Sequence, residues 1–157
     1  MGTVMVSDLG ERITKLSLLV VGGISGLIVA AALSPTGPYF WGNFRFYWLP
    51  HAAILGLMCW YRAPAALTGG VGLGLALYLA AFGWWVFSRE HPDSMSWLGY
   101  LFSLPGGAIG AVIAMCWTFL HPKQNLETFL IGLGLVSLGI ILNQSLLCAT
   151  VMYCRQS

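Results

Sequence analysis

The chain has 157 residues, of which 58% are hydrophobic and only 8% are charged, and its formal net charge is +2. A soluble domain usually carries about 25% charged residues, so a water-soluble protein could not cover its surface with so few. No basic tract accompanies the small net charge, which argues against a nucleic-acid-binding protein. The composition therefore predicts a single integral membrane domain over residues 1–157, built from transmembrane helices.

The first apolar run extends from Ile13 to Leu33 and contains one charged residue, Lys15. Its 21 positions correspond to about 31 Å of helix, enough to cross a hydrocarbon core of about 30 Å. A signal peptide is the competing interpretation, with Ala30 to Ala32 as its cleavage site. Because the run is longer than a typical signal core, we interpret it as a retained first span.

An aromatic-rich stretch, Tyr39 to Trp48, follows a turn-forming sequence, Ser34 to Pro38, whose two prolines and glycine cannot continue a helix. Trp and Tyr favour the lipid–water interface, so we predict a short interfacial segment here. Pro50 suits the first turn of a helix. The second span is therefore predicted at residues 49–63, with Arg62 extending outward to the interface.

Three longer apolar runs complete the chain. The third predicted span, residues 64–87, contains no charged residue. The fourth, residues 97–120, contains Pro105, which should bend the helix, and the fifth occupies residues 126–153. The predicted fold class is all-α, a polytopic transmembrane helix bundle with five spans, or four if the second run does not cross.

Five spans would place the two termini on opposite sides of the membrane. The N-terminal side would carry four basic residues, Arg12, Lys15, Arg62 and Lys123, and the other side three, Arg45, Arg89 and Arg155. Because basic residues are enriched on the cytoplasmic side, this count favours a cytoplasmic N-terminus. We expect the protein to lie in the bacterial cytoplasmic (inner) membrane.

Small residues recur at four-residue spacing within the apolar runs, as Gly22 and Gly26, Ala52 and Gly56, Gly70 and Gly74, and Gly106 and Gly110. In lipid, such faces let helices approach closely, either within the chain or against another subunit. Two amides, Asn143 and Gln144, lie well inside a predicted span. We expect them to hydrogen-bond another helix or to line a hydrated path.

His51 is the only histidine inside an apolar run. A haem between membrane helices normally takes one or two axial ligands, and the same-side partner of His51 would be His91, which lies in a loop. We therefore expect no haem, no other cofactor and no metal. The four cysteines occur singly, without metal-binding spacing, and are expected to be free thiols: Cys59, Cys116, Cys148 and Cys154.

With five alternating spans, the loops at 34–48 and 88–96 share the non-cytoplasmic side. A polar face is predicted there, formed by Arg45, Trp48, His51, Arg89, Glu90, His91 and Asp93. It could bind a polar head group, a quinone, a peptide or a periplasmic protein. The plainer alternative is a hydrated rim in which Arg89 pairs with Glu90 or Asp93.

No arrangement typical of nucleophilic or acid–base catalysis is present, and no Asp, Glu, Lys or Arg lies mid-span, which disfavours coupled transport. The sequence favours a non-enzymatic protein that works by association with the lipid bilayer and with other membrane helices, or as a homo-oligomer. It would be a small subunit of a membrane complex, or a protein that restrains a membrane-acting partner, as the immunity protein of a bacterial toxin does. Two rivals remain: a self-assembled channel or facilitator lined by Asn143, Gln144 and the bend at Pro105, and a redox or enzyme subunit working at His51, Arg89 and His91.

Overall fold

A computed structural model describes residues 2–89 and 96–150, and at residues 2–12, 15 and 96 it describes the backbone alone. Within these ranges the chain forms five α-helices and no strand: α1 Gly2–Leu33, α2 Phe40–Trp60, α3 Ala65–Phe87, α4 Ser96–Leu120 and α5 Asn125–Thr150. Four of them, α1, α3, α4 and α5, are long and apolar enough to span a membrane. The all-helical fold is thus confirmed, and the four apolar helices indicate an integral membrane protein.

The second helix differs from the prediction. The aromatic stretch forms the first half of α2, which continues without interruption from Phe40 to Trp60. Pro50 therefore lies inside this helix rather than in its first turn, as membrane helices tolerate. The separate interfacial segment predicted for Tyr39 to Trp48 is therefore not confirmed. α2 is not among the helices apolar enough to qualify as a span, because Asn43, Arg45 and His51 lower its hydropathy.

The helices α1 and α3 run parallel and in close contact. Gly69 of α3 lies against Leu18 and Gly22 of α1, and Gly83 of α3 lies against Leu33 of α1. Residue numbers increase together along both helices, which fixes their common direction. Because the backbones meet at glycines, no side chain separates them at these points.

On its other side, α3 packs parallel to α5, and α5 packs antiparallel to α4. These directions follow from the pairs Gly70 with Phe129, Gly74 with Val136, Gly106 with Gly139 and Gly110 with Leu135. Of the residues in the segment of α3 that could span the membrane, 67% are buried. The share is 17% for the corresponding segments of α1 and α5. α3 is therefore the central helix, surrounded by α1, α2, α4 and α5.

The bundle has an upper end and a lower end. The upper end contains the C-terminal ends of α1 and α3 and the N-terminal ends of α2 and α4. The lower end contains the short connections from α2 to α3, residues 61–64, and from α4 to α5, residues 121–124. α2 and α4 therefore both descend from the upper end to the lower end.

The cysteines differ from the expectation at one position. Cys59 and Cys116 are free thiols, as predicted, and both are exposed. Cys148 is disulfide-bonded, so the expectation of a free thiol is wrong for this residue. Cys154 lies outside the described residues.

Candidate functional site

Helix α2 carries two opposite stripes of side chains. Its buried residues, Tyr47, His51 and Met58, are spaced by four and seven residues and so lie on one side of a helix. We call them the inner stripe. The opposite side of α2 carries an exposed set of residues, which we call the outer stripe: Gly42, Arg45, Leu49, Ala53, Gly56 and Trp60. At 3.6 residues per turn, these six positions lie within about 80° around the helix axis.

His51 lies at the centre of the inner stripe and is only 1% exposed. Its Nδ1 atom lies 3.0 Å from the carbonyl oxygen of Tyr47, one turn earlier in α2. The same atom lies 3.2 Å from the hydroxyl oxygen of Tyr100 on α4. Because a carbonyl oxygen can only accept a hydrogen bond, we assign the imidazole proton to Nδ1.

The other ring nitrogen of His51, Nε2, is buried and makes no hydrogen bond with the described residues. The backbone of Leu75 on α3 lies near the ring without completing a hydrogen bond of good geometry to Nε2. The Cδ2 atom faces α1, where a Cβ at Gly26 would lie 3.6 Å away. The imidazole ring therefore fills the space between α1, α2, α3 and α4 and joins them mainly by packing.

Aromatic side chains attach the upper half of α2 to α4. The rings of Tyr47 and Trp97 have centroids 4.5 Å apart. The ring of His51 is stacked between Trp48, at 6.1 Å, and Tyr100, at 6.4 Å. Such pairs contribute about 0.5–1.5 kcal/mol beyond the area they bury, so this cluster holds α2 in a fixed rotation about its own axis.

A second set of hydrogen bonds lies beside this cluster and joins α3, α4 and α5. The hydroxyl of Tyr78 bonds Ser103 and lies 3.4 Å from Oε1 of Gln144. Ser103 donates to the carbonyl oxygen of Tyr100 at 2.6 Å. Asn143 donates from Nδ2 to the carbonyl oxygen of Phe102 at 2.7 Å. Both amides singled out in the sequence therefore lie at helix contacts inside the chain.

Three polar members of this interior, Tyr78, Tyr100 and Ser103, were not predicted. The feature of the sequence that could have indicated them is a side-chain hydroxyl group within an apolar run. In lipid such a group needs a partner from its own helix or from a neighbouring one. Tyrosine at these positions also resembles the interfacial aromatic residues of a membrane helix, which concealed the signal.

The predicted polar face is brought together only in part. Arg45 is exposed on the outer stripe, and Trp48 is half-buried against His51. His51 does not belong to an exposed face, because it is buried between α1, α2, α3 and α4. The guanidinium of Arg89 lies 3.8 Å from the ring centroid of Trp85. The remaining members lie outside the described residues: Glu90, His91 and Asp93.

The small-residue pairs fall into two groups. A Cβ added at any glycine of three pairs would meet another helix of the same chain, at Gly22, Gly26, Gly70, Gly74, Gly106 and Gly110. The fourth pair, Ala52 and Gly56, is different, because a Cβ at Gly56 would meet nothing within 4 Å. Gly42, fourteen residues earlier on the same stripe, is equally open. None of the residues that the structure describes therefore covers the outer stripe at Gly42 or Gly56.

Within the described ranges, no group of three or more His, Cys, Asp or Glu side chains is placed to hold a metal ion. Comparisons of the chain with protein-family models, with curated proteins and with solved structures found no match.

Proposed function

We propose that this protein works by association, and that the outer stripe of α2 binds a transmembrane helix of another membrane protein. The observation that carries the proposal is the open surface at Gly42 and Gly56, where a Cβ would meet nothing within 4 Å. The glycines of the other three pairs each face a helix of this chain. Small residues on a helix surface let a second backbone approach closely in lipid.

The inner stripe supports this role because it fixes the direction in which the outer stripe points. Tyr47 and His51 attach α2 to α4 through Trp97 and Tyr100. The two stripes lie on opposite sides of the helix, so this attachment turns Gly56 outward. A surface that is already held in its binding orientation loses less conformational freedom on binding.

Arg45 specifies the chemistry of the partner. It is exposed on the outer stripe, about 8 Å along the helix from the first residue of α2. Among the described residues, the one ion pair joins Lys123 to Glu127, so Arg45 has no carboxylate partner there. A guanidinium covered by a second helix needs an acceptor. We therefore expect a partner helix with an Asp, Glu or other acceptor at the level of Arg45.

Two biological roles agree with such a surface. The protein would be a small subunit of a membrane complex, or it would restrain a membrane-acting partner by occupying one of that partner's helices. In both roles the work is done by binding within the membrane. We place the protein in the bacterial inner membrane. The distribution of basic residues supports a cytoplasmic N-terminus.

The proposal includes five crossings of the membrane. α1 and α3 run parallel, and both are long and apolar enough to span it. The chain between them, residues 34–64, must therefore return across the same thickness. α2 is the helix in that interval, and its polar His51 is shielded inside the bundle, which supports a crossing in spite of its lower hydropathy.

Labelling of single cysteines distinguishes five crossings from four. We expect Thr36→Cys and Gln124→Cys, each in a chain without its native cysteines, to react with an impermeant thiol reagent from opposite sides. Both residues are exposed and lie between helices. If α2 did not cross, the two positions would lie on the same side, and labelling from one side only would contradict the proposal.

The association is tested by filling the outer stripe. We expect Gly56→Leu to reduce the recovery of a co-purifying membrane protein by about tenfold or more, because a loss of 1.4 kcal/mol is tenfold in affinity. The measurement is affinity purification from the native membrane after gentle solubilisation. Gly134→Leu is the matched control, since Gly134 on α5 is also exposed and a Cβ added there would meet nothing within 4 Å. Equal recovery with both variants would contradict the role of the outer stripe.

A second arm separates a different protein from a second copy of this chain. Two differently tagged copies are expressed together, and each is purified through its own tag. We expect the two tags not to co-purify, while the heterologous partner does. Recovery of the second tag without another protein would mean that the stripe mediates self-association, and recovery of a lone monomer would remove the proposal.

A further inference from the structure

An apolar crevice separates the lower halves of α2 and α4. Its volume is about 110 Å³, and the side chains that shape it include Leu57 and Met58 of α2, Tyr61 directly after α2, and Ala108, Ala111 and Met115 of α4. It exposes no polar surface. Leu57 and Tyr61 are 59% and 62% exposed, so the crevice opens onto the lipid-facing side of the bundle.

The crevice exists because α2 and α4 are attached unevenly. In the upper half, Tyr47 meets Trp97 and His51 meets Tyr100. In the lower half, α4 presents the small side chains of Ala108 and Ala111. Short alanine side chains at these two positions leave space beside the longer Val112 and Met115 of the same helix. An apolar cavity of this kind stays dry and accepts apolar ligands.

A cation follows the crevice directly in sequence at its lower end. Tyr61, just after α2, is the last lining residue before the connection to α3, and Arg62 is the next residue, with an exposed side chain. Arg62 has a backbone φ of 56°, in the left-handed region that favours glycine. None of the described carboxylates pairs with its guanidinium. Arginine suits a phosphate group because its planar donors can bind two oxygens at once.

We propose that the crevice binds one acyl chain of an anionic phospholipid whose phosphate is held by Arg62. A phospholipid has a long apolar chain and an anion at the membrane surface, and it surrounds the protein at high concentration. Trp60 and Tyr61, both exposed, are the residue types that mark the interface at this level. The site uses the side of α2 that faces α4, so it is independent of the outer stripe.

The proposal is tested by lipid binding to the whole purified chain in detergent. Phosphatidylglycerol and phosphatidylcholine with identical acyl chains are added, and bound lipid is counted by native mass spectrometry. We expect one tightly bound phosphatidylglycerol, preferred about fivefold over phosphatidylcholine, because one basic residue near a phosphate surface contributes about that factor. Both lipids carry a phosphate, and only phosphatidylglycerol has a net negative charge, so equal retention of the two would overturn the selection of an anionic lipid by Arg62.

Two variants divide the site into its parts. Ala111→Phe fills the crevice and is expected to reduce retention of both lipids about tenfold or more. Arg62→Gly removes the guanidinium at a position where glycine is favoured, so the chain should fold and lose only the preference for phosphatidylglycerol. Ala32→Phe on exposed α1 and Lys123→Gln at the lower end are matched controls and should bind lipid as the wild type does.

Three results would overturn the proposal. Wild-type retention in Ala111→Phe would show that no acyl chain occupies the crevice. An unchanged preference in Arg62→Gly would show that a group other than Arg62 selects the anionic lipid. Equal losses in Ala111→Phe and Ala32→Phe, with both proteins monodisperse, would show that lipid binds the outer surface of the bundle rather than the crevice.

Discussion

Replacement of Gly69 by alanine is expected to separate α1 from α3 and to destabilise the whole bundle. A Cβ at Gly69 would overlap the carbonyl group of Leu18, and a Cβ at Gly22 would overlap Gly69 in turn. Both obstacles are backbone atoms, so no side-chain rotation relieves the overlap. We expect a loss of about 3 kcal/mol or more, at the upper end of the range for overpacked sites, measured as thermal unfolding of the purified protein in detergent.

The control for this prediction is Gly134→Ala. A Cβ at Gly134 would meet nothing within 4 Å, and alanine is favoured over glycine in a helix by about 1 kcal/mol. The unfolding temperature of this variant should therefore stay the same or rise. If both variants unfolded at the wild-type temperature, close contact between α1 and α3 would not be what holds them together.

Replacement of His51 by alanine is expected to loosen α2 while the other helices remain packed. The imidazole ring is buried between α1, α2, α3 and α4 and is stacked on Trp48 and Tyr100. Large-to-small changes at buried sites cost about 2–5 kcal/mol. We expect hydrogen exchange to accelerate in α2 and to change little in α3 and α5, since these pack through glycine contacts that His51 does not touch.

His51→Phe separates ring packing from hydrogen bonding. Phenylalanine keeps an aromatic ring in place and removes the unpaired Nε2, but it loses the contacts of Nδ1 with Tyr47 and Tyr100. A hydrogen bond of this kind contributes about 1 kcal/mol net, so His51→Phe should be milder than His51→Ala. Equal acceleration of exchange in α2 by the two variants would mean that the hydrogen bonds, and not the ring, hold this helix.

The long apolar helices could be predicted from the sequence because local chemistry determines their ends. The third predicted span, residues 64–87, corresponds closely to α3, Ala65–Phe87. Pro64 precedes its first residue, and the polar residues after Phe87 follow its last. In lipid, the backbone must satisfy its own hydrogen bonds, so an apolar run between such boundaries has few alternatives to a helix.

The course of α2 could not be predicted in the same way. Pro50 is compatible both with the first turn of a helix and with the interior of a membrane helix. What selects the longer helix is distant in sequence: Tyr47 packs on Trp97, and His51 meets Tyr100. The same limit applies to the glycines, since four-residue spacing indicates that Gly22 can pack closely but does not indicate that Gly69 is its partner.

The sequence singled out His51, but it did not indicate the environment of this residue. A lone histidine in an apolar run is unusual, and His51 does lie at the centre of the buried cluster. Its placement on an exposed face followed from treating the neighbouring aromatic residues as an interfacial belt. The alternation of inner and outer stripes along α2 becomes clear only when the helix is known to include Tyr47.

The central position of α3 has a consequence for biosynthesis. Different glycines of α3 serve its two neighbours: Gly69 meets α1, while Gly70 meets Phe129 of α5. The ribosome completes α1 to α3 well before α5, so the first contact can form early, whereas the second must wait for the last helix. Until then Gly70 faces lipid, and a chain that stops before α5 would present that bare glycine surface to chaperones and membrane proteases.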